Sequence, residues 1–353
     1  MKIRLHTNSD GIALIVALIA VLVLSALAAG FALSMKVETR LAYNANSETQ
    51  MYWLGRSGVE YCRWVLAQEK CPYDSLNQIW AGGSGSECDT NLEAANPVQI
   101  GGGTCTWQII DLERYANINT ANGLEIQQAL TDMGVDANES SVVADSIQDW
   151  IGPPGTPRVA GAESDYYQGL DPAYYAKNAP VDDMSELLLV RGILDHREIY
   201  WGGCATNRPG PTFHHKLGFG NSPGENPCYT FGLKDVFTAI SSGHININTA
   251  GTNVLAMIPG MNAVTADNII KLRAGPDGVD GTEDDTPFQN QGAASAAIQS
   301  AGGNPNLSGN FVATRSSTFE VHISAQIGSA PPRNYTAILY RNSGSDIRVL
   351  SFY

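Results

Sequence analysis

The residues best suited to chemistry in this chain are oxygen donors. Asp277, Asp280, Glu283, Asp284 and Asp285 place four Asp and one Glu within nine residues, and Gly278 and Gly281 among them permit tight turns. Carboxylates so close together repel one another unless a hard cation sits between them. Calcium is the expected ion, because it accepts roughly six to eight oxygens in loose geometry whereas magnesium demands an octahedron. The order of the acids departs from the EF-hand loop, and a solvated acidic loop is the plainer alternative. Glu163, Asp165 and Asp171 are further donors for the same or a second site.

Sulfur is the second resource. Cysteines stand at 62, 71, 88, 105, 204 and 228, with no Cys-x-x-Cys pair, so a tetrahedral zinc site has little support. An even number of cysteines beyond an apolar helix reads as disulfides in an oxidising compartment. Cys204 and Cys228 bracket a Gly/Pro-rich loop and are the best candidates for a bridge, and the other four are expected to pair among themselves. Gly220-Asn-Ser222-Pro-Gly224 has the spacing of a nucleophile elbow, but the residue after the Ser must offer an N–H to an oxyanion, and Pro223 has none. His214 and His215 are adjacent and would point in different directions on a strand, so a metal pair is not expected there. No catalytic residues, and no cofactor other than calcium, are expected.

The elements that must position these groups begin with an asymmetry of charge. The 353 residues carry 35 acids against 21 Lys and Arg, a formal net charge of −14, and that field opposes nucleic acid in the absence of a strong basic patch. Ile12 to Met35 contains no charged side chain and as a helix is about 36 Å long, enough to cross a bilayer core. Lys2 and Arg4 precede it in a polar leader ending at Gly11, and basic character there keeps that end cytoplasmic. Ala26, Ala28 and Ala29 imitate a signal-peptidase site, so a cleaved signal is the alternative. Against it, helical patterning runs on through Val37, Leu41, Tyr52, Val59 and Val65 with no Pro until Pro72.

Asn117-Ile-Asn-Thr-Ala121 recurs as Asn246-Ile-Asn-Thr-Ala250, each copy followed by two helical stretches. Thr120 and Thr249 are placed to cap the helices they precede. The second copy, with its Gly260-Met261-Asn262 turn, is similar to a helix-hairpin-helix unit that would hold a phosphate, but the turn lacks its second Gly and only Lys271 and Arg273 lie nearby. Asp183 and Glu186 mark a helix start before Leu187-Leu188-Leu189, stopped by Gly192. From Ser317 the period becomes two, in Phe319, Val321 and Ile323, with further strands at Tyr335 to Arg341 and Ile347 to Tyr353 and a matching one at Thr106 to Asp111. The fold class expected is α+β: a long N-terminal helix packed on an antiparallel sheet, with a large α-helical domain inserted between strands.

The short basic leader ending in Gly, the apolar helix and its amphipathic continuation resemble type IV prepilin-like proteins. Together with the two repeats, Gly161-Ala-Glu163, the Tyr-rich loop and Ser185-Glu-Leu-Leu-Leu-Val-Arg-Gly192, they resemble the K-type minor pseudopilin of type II secretion systems. The resemblance implies cleavage between Gly11 and Ile12 by the prepilin peptidase, methylation of the new N-terminus, and a pilin body carrying the helical insertion. Most of that wider family has Glu as fifth mature residue; here it is Val16, as in the K type, whose place is the pseudopilus tip. It also implies bundling with minor pseudopilins I and J, and with H, an inner-membrane anchor with a periplasmic domain, and a role in initiating assembly for export across the outer membrane. The expected division is 1–11 leader, 12–35 transmembrane helix, 36–111 stem and first part of the body, 112–315 insertion, and 316–353 closing strands. The competing expectation is a DNA-binding minor pilin of a competence or type IV pilus system, acting through the hairpin unit.

Overall fold

The computed structural model describes residues 9–89, 93–204, 214–215, 228–328, 330–344 and 346–353. With no Pro to interrupt it, the first segment folds as one helix of 60 residues, α1, Ser9–Gln68. Its apolar beginning is open to the surroundings: Leu14, Val16, Leu18, Leu22 and Leu33 are all exposed. Further along, Leu54, Val59, Cys62, Val65 and Leu66 turn one buried stripe toward a sheet.

That sheet has five strands, β1 Val98–Ile100, β2 Gly103–Asp111, β3 Thr318–Ile327, β4 Arg333–Ser343 and β5 Asp346–Phe352. They lie side by side in chain order, each antiparallel to the next. Alternation does the sorting. Cys105, Trp107 and Ile109 on β2 and Phe319, Val321, Ile323 and Ala325 on β3 face α1, and the register sets Ile109 opposite Val321 and Trp107 opposite Ile323.

Helix and sheet approach closely because Gly55 and Gly58 occupy one helical face. A Cβ at Gly55 would lie 2.4 Å from the Tyr335 ring, and one at Gly58 would lie 3.0 Å from Ile323. Gly55→Ala is expected to push Tyr335 off Phe352, on which it stacks at 5.4 Å, and to lower stability by about 1–3 kcal/mol through overpacking, as read by thermal unfolding.

Between β2 and β3 the chain builds a second body with its own core, including Ile118, Ile126, Leu130, Ile147, Leu187 and Leu255. Its principal helices are α2 Gly123–Met133, α3 Ala137–Ile151, α4 Thr252–Ala256, α5 Ala263–Arg273 and α6 Gln291–Ser300. Each Asn-Ile-Asn-Thr-Ala copy enters its helical pair through a short parallel bridge, Ala116–Asn117 with Phe237–Thr238 and Ile245–Asn246 with Val312–Ala313. The architecture is thus the α+β class read from the sequence.

The caps differ from expectation. Asn122, not Thr120, caps α2, accepting from Leu124 N and Glu125 N while Glu125 reaches back to Asn122 N. Thr249 instead donates to Asp111 Oδ2 at 2.6 Å, and α4 starts at Gly251 with no side-chain cap. Each Thr sits inside the turn made by its first Asn, two residues too early to meet the free N–H groups. Asp183 and Glu186 do form a reciprocal cap, but on the 3-10 helix Met184–Leu189.

Candidate functional site

The first functional surface is α1. Over an 18-residue window its mean hydropathy reaches 3.1 with none of the window buried, long and apolar enough to cross a membrane. Val16 is 60% exposed, presenting an aliphatic surface where a carboxylate would have offered a charge. Residues 1–8 lie outside the described residues, and the helix passes through both Gly11 and Ile12.

The second is the acidic loop after α5. Arg273, almost fully buried, closes its start: Nε and Nη2 donate to both carboxylate oxygens of Asp280 at 3.0 and 2.7 Å, and Nη1 donates to Ile247 O and Ala250 O. One arginine therefore ties the loop to the second repeat. Gly275, at φ +67°, lets the backbone pass where a Cβ would lie 2.1 Å from Asp284 O. Within the loop, Asp277 Oδ1 accepts from Val279 N, Asp284 Oδ2 from Asp277 N, and Asp285 Oδ2 from Gly281 N. Thr282 Oγ1 reaches Asp284 at 2.8 Å and Asp285 at 3.4 Å, so two like charges converge on one hydroxyl. Burial pushes the Asp285 carboxyl up, whereas the hydrogen bond from Thr282 holds Asp284 down. Among the described residues no three His, Cys, Asp or Glu side chains are gathered into a cluster able to hold a metal ion.

The repeats share a device that the periodicity alone does not announce. In each, the first Asn turns the chain by accepting from the second Asn's N–H, Asn117 from Asn119 and Asn246 from Asn248. The second Asn then uses its amide as a substitute backbone. Asn119 bonds both N–H and C=O of Val181, and Asn248 both of Phe288, the residue leaving the acidic loop. Arg273 and Asn248 thus clamp the loop from either side.

Where insertion and sheet meet lies a buried polar junction drawn from five segments of the chain. Asp111 Oδ2, at the end of β2, accepts from Asn246 Nδ2, Thr249 Oγ1 and Ser316 Oγ, and Oδ1 from Glu113 N. Burial pushes the Asp111 carboxyl up to about 6, partly opposed by the Thr249 and Ser316 hydroxyls. Beside it Asp74 accepts from Arg341 on β4 and from Ser316 N. Arg341 also donates to Ser316 O and lies over the Phe319 ring at 4.9 Å. No local sequence pattern marks this cluster; a charged residue at an inward strand position was the available signal.

Of the cysteines, Cys71 and Cys88 are joined. Cys62 and Cys105 correct the expectation that all four early cysteines pair: both are free, fully buried thiols between α1 and β2. They act there as small apolar groups, Cys105 Sγ donating to Leu54 O. Cys228 is disulfide-bonded, and the Cys204 backbone stands directly across from it in a two-residue antiparallel bridge. Ser222 and Pro223 lie outside the described residues, and His214–His215 pairs with Leu170–Asp171.

The hairpin unit closes its own helix ends. Asn262 accepts from Thr265 N at the start of α5, as Asn122 does on α2, occupying donors that a phosphate would need. Arg273 is committed to Asp280 and two carbonyls.

Comparisons with known proteins agree with this geometry. Residues 107–197 match the family model described as Type II secretion system (T2SS), protein K. Type II secretion system protein K of Aeromonas hydrophila is 28% identical over 209 residues, covering 53% of this chain and 60% of the relative. That of Pectobacterium carotovorum subsp. carotovorum is 28% identical over 109 residues, covering 27% of this chain and 33% of the relative. The match thus spans 60% of the first relative's length and less of the second's. A chain in the crystal structure of the GspK-GspI-GspJ complex from the enterotoxigenic Escherichia coli type 2 secretion system has the same fold, with a TM-score of 0.61 at 16% identity over 88% of this chain and 98% of that one.

Proposed function

From the match of residues 107–197 to the type II secretion system protein K family model, we propose that the chain is the minor pseudopilin at the tip of the secretion pseudopilus. The observation that carries the reading is the pairing of an exposed apolar beginning of α1 with a helical body inserted at one end of the sheet. The apolar helix anchors the subunit in the inner membrane, with the sheet and insertion in the periplasm. After the prepilin peptidase cuts between Gly11 and Ile12 and the new N-terminus is methylated, α1 bundles with the helices of minor pseudopilins I and J, with H joining the complex. The insertion crowns the bundle and blocks addition above it, so the protein initiates assembly and supports export across the outer membrane without catalysis of its own. Within the bilayer, where lipid is as apolar as the helix, van der Waals packing of α1 against its partners drives association.

Val16→Glu tests the tip placement. A carboxylate there would pair with the N-terminal amine of a neighbouring subunit that a tip position does not have, and left unpaired it costs several kcal/mol in the membrane. Secretion in a strain carrying only the variant is expected to fall sharply; full secretion overturns the placement.

We also propose that the acidic loop binds calcium by drawing together Asp277, Glu283, Asp284 and Asp285, which are not gathered in this structure, with Asp280 retained by Arg273. All four are hard oxygen donors, and the convergence of Asp284 and Asp285 on Thr282 is the repulsion such an ion relieves. Calcium at about a hundred times its dissociation constant adds about 2.7 kcal/mol. The melting temperature is expected to rise with calcium and fall with chelator in the parent and to be indifferent in Asp284→Asn; identical melts of the parent in both conditions refute the site.

A further inference from the structure

The two repeat units leave a crevice between them. A cavity of about 210 Å³ is walled by Ile245, Met257, Ile258 and Phe311 and by Glu125, the third residue of α2. It shares Glu125, Met257, Ile258 and Pro259 with a shallower groove of about 520 Å³ that runs on past Leu124, Gln128 and Asp132 to Asn262. The two hollows adjoin at these residues, the first walled by apolar side chains and the second bordered by acids.

Four features need an explanation that the fold does not supply. Glu125 Oε2 is used in the α2 cap, but Oε1 is buried with no hydrogen-bond partner, a group that costs free energy unless something meets it. Leu124 is 77% exposed at the groove edge, although α2 has a core to face. The apolar wall includes Met257 and, along the groove, Met261, whose flexible thioethers adapt to varied shapes. The acids at the mouth, Glu125 and Asp132, face no arginine or lysine along the lining.

We propose that this crevice binds an extended segment of another protein in which a lysine is flanked by apolar side chains. The lysine stem packs against Met257 and Ile258, its ammonium is attracted by the Glu125 and Asp132 carboxylates at the mouth, and the flanking side chains cover Leu124 and Met261. The chain's net charge of −14 steers such a segment to the site. This inference does not depend on the tip placement.

The probe is a fluorescein-labelled peptide, Ala-Leu-Lys-Leu-Ala, titrated by anisotropy against the full-length protein in non-ionic detergent. Saturable, salt-sensitive binding is expected. Glu125→Gln keeps the reach-back to Asn122 N and so the helix cap; it is expected to weaken binding about fivefold, and norleucine in place of the peptide lysine to weaken it equally, with no further loss when the two changes are combined. Leu124→Asp, which places an acid favourably in the first turn of α2, is expected to abolish binding at an unchanged melting temperature. Absence of saturable binding at millimolar peptide, or equal affinity for the parent and Glu125→Gln, overturns the proposal.

Discussion

Arg341→Met is expected to cost about 3–5 kcal/mol, because it leaves Asp74 ionised and wholly buried without its cation. The pair is also imperfectly served: Asp74 Oδ1 and Arg341 Nη1 are both buried without hydrogen-bond partners. A partly satisfied ion pair in the interior contributes little beyond a neutral replacement. Asp74→Asn combined with Arg341→Met is therefore expected to recover most of the loss, since the amide oxygen can still accept from Ser316 N. Urea unfolding of the detergent-solubilised chain followed by near-ultraviolet circular dichroism measures both. A double variant no better than the single would show that Arg341 acts through its contacts with Ser316 and Phe319 instead of through charge.

Arg273→Met is the second large effect, about 3–5 kcal/mol, for a different reason. The methionine fills the stem's volume but withdraws donors from Ile247 O and Ala250 O and the cation from Asp280. Each stranded buried carbonyl costs about 1–3 kcal/mol. The damage should spread to the acidic loop, whose entrance Arg273 holds, while Asn248 still grips Phe288 at its exit. Limited proteolysis is expected to cut between Gly275 and Pro287 in the variant before the parent is touched there. Equal cleavage of the two would mean that the loop is held by its internal hydrogen bonds alone.

The elements legible in advance were those with strong local periodicity. The apolar run that opens α1, the alternation of Phe319, Val321 and Ile323, and the recurrence of Asn-Ile-Asn-Thr-Ala each report on neighbours in sequence, and the α+β class follows from them. What those motifs do was harder to read. Thr120 and Asn122 are both good caps, and the choice between them depends on where Asn117 turns the chain, which composition does not reveal. The even cysteine count suggested complete pairing, but it carries no information on whether Cys62 sits inside a helix–sheet interface. The junction of Asp74, Asp111, Asn246 and Arg341 left no local trace, since its members are brought together only when the sheet and the insertion are both in place. In the acidic loop the five carboxylates are plain in the sequence, but nothing in their spacing singles out Arg273, where one side chain pairs Asp280 and holds the second repeat.

Inserting the helical body between β2 and β3 also sets an order of events. Phe319 lies directly opposite Asp111, so the central pairing of the sheet joins residues separated by the whole insertion. Closing so long a loop from an unfolded chain is slow, because contacts of high sequence separation must be reached by diffusion before they are rewarded. Once the insertion has folded, its two ends emerge side by side and the same pairing becomes nearly local. β2 emerges from synthesis before the insertion and β3 after it. The β2–β3 pairing is thus expected to be the last to close, and α1 to gain its full docking surface only then.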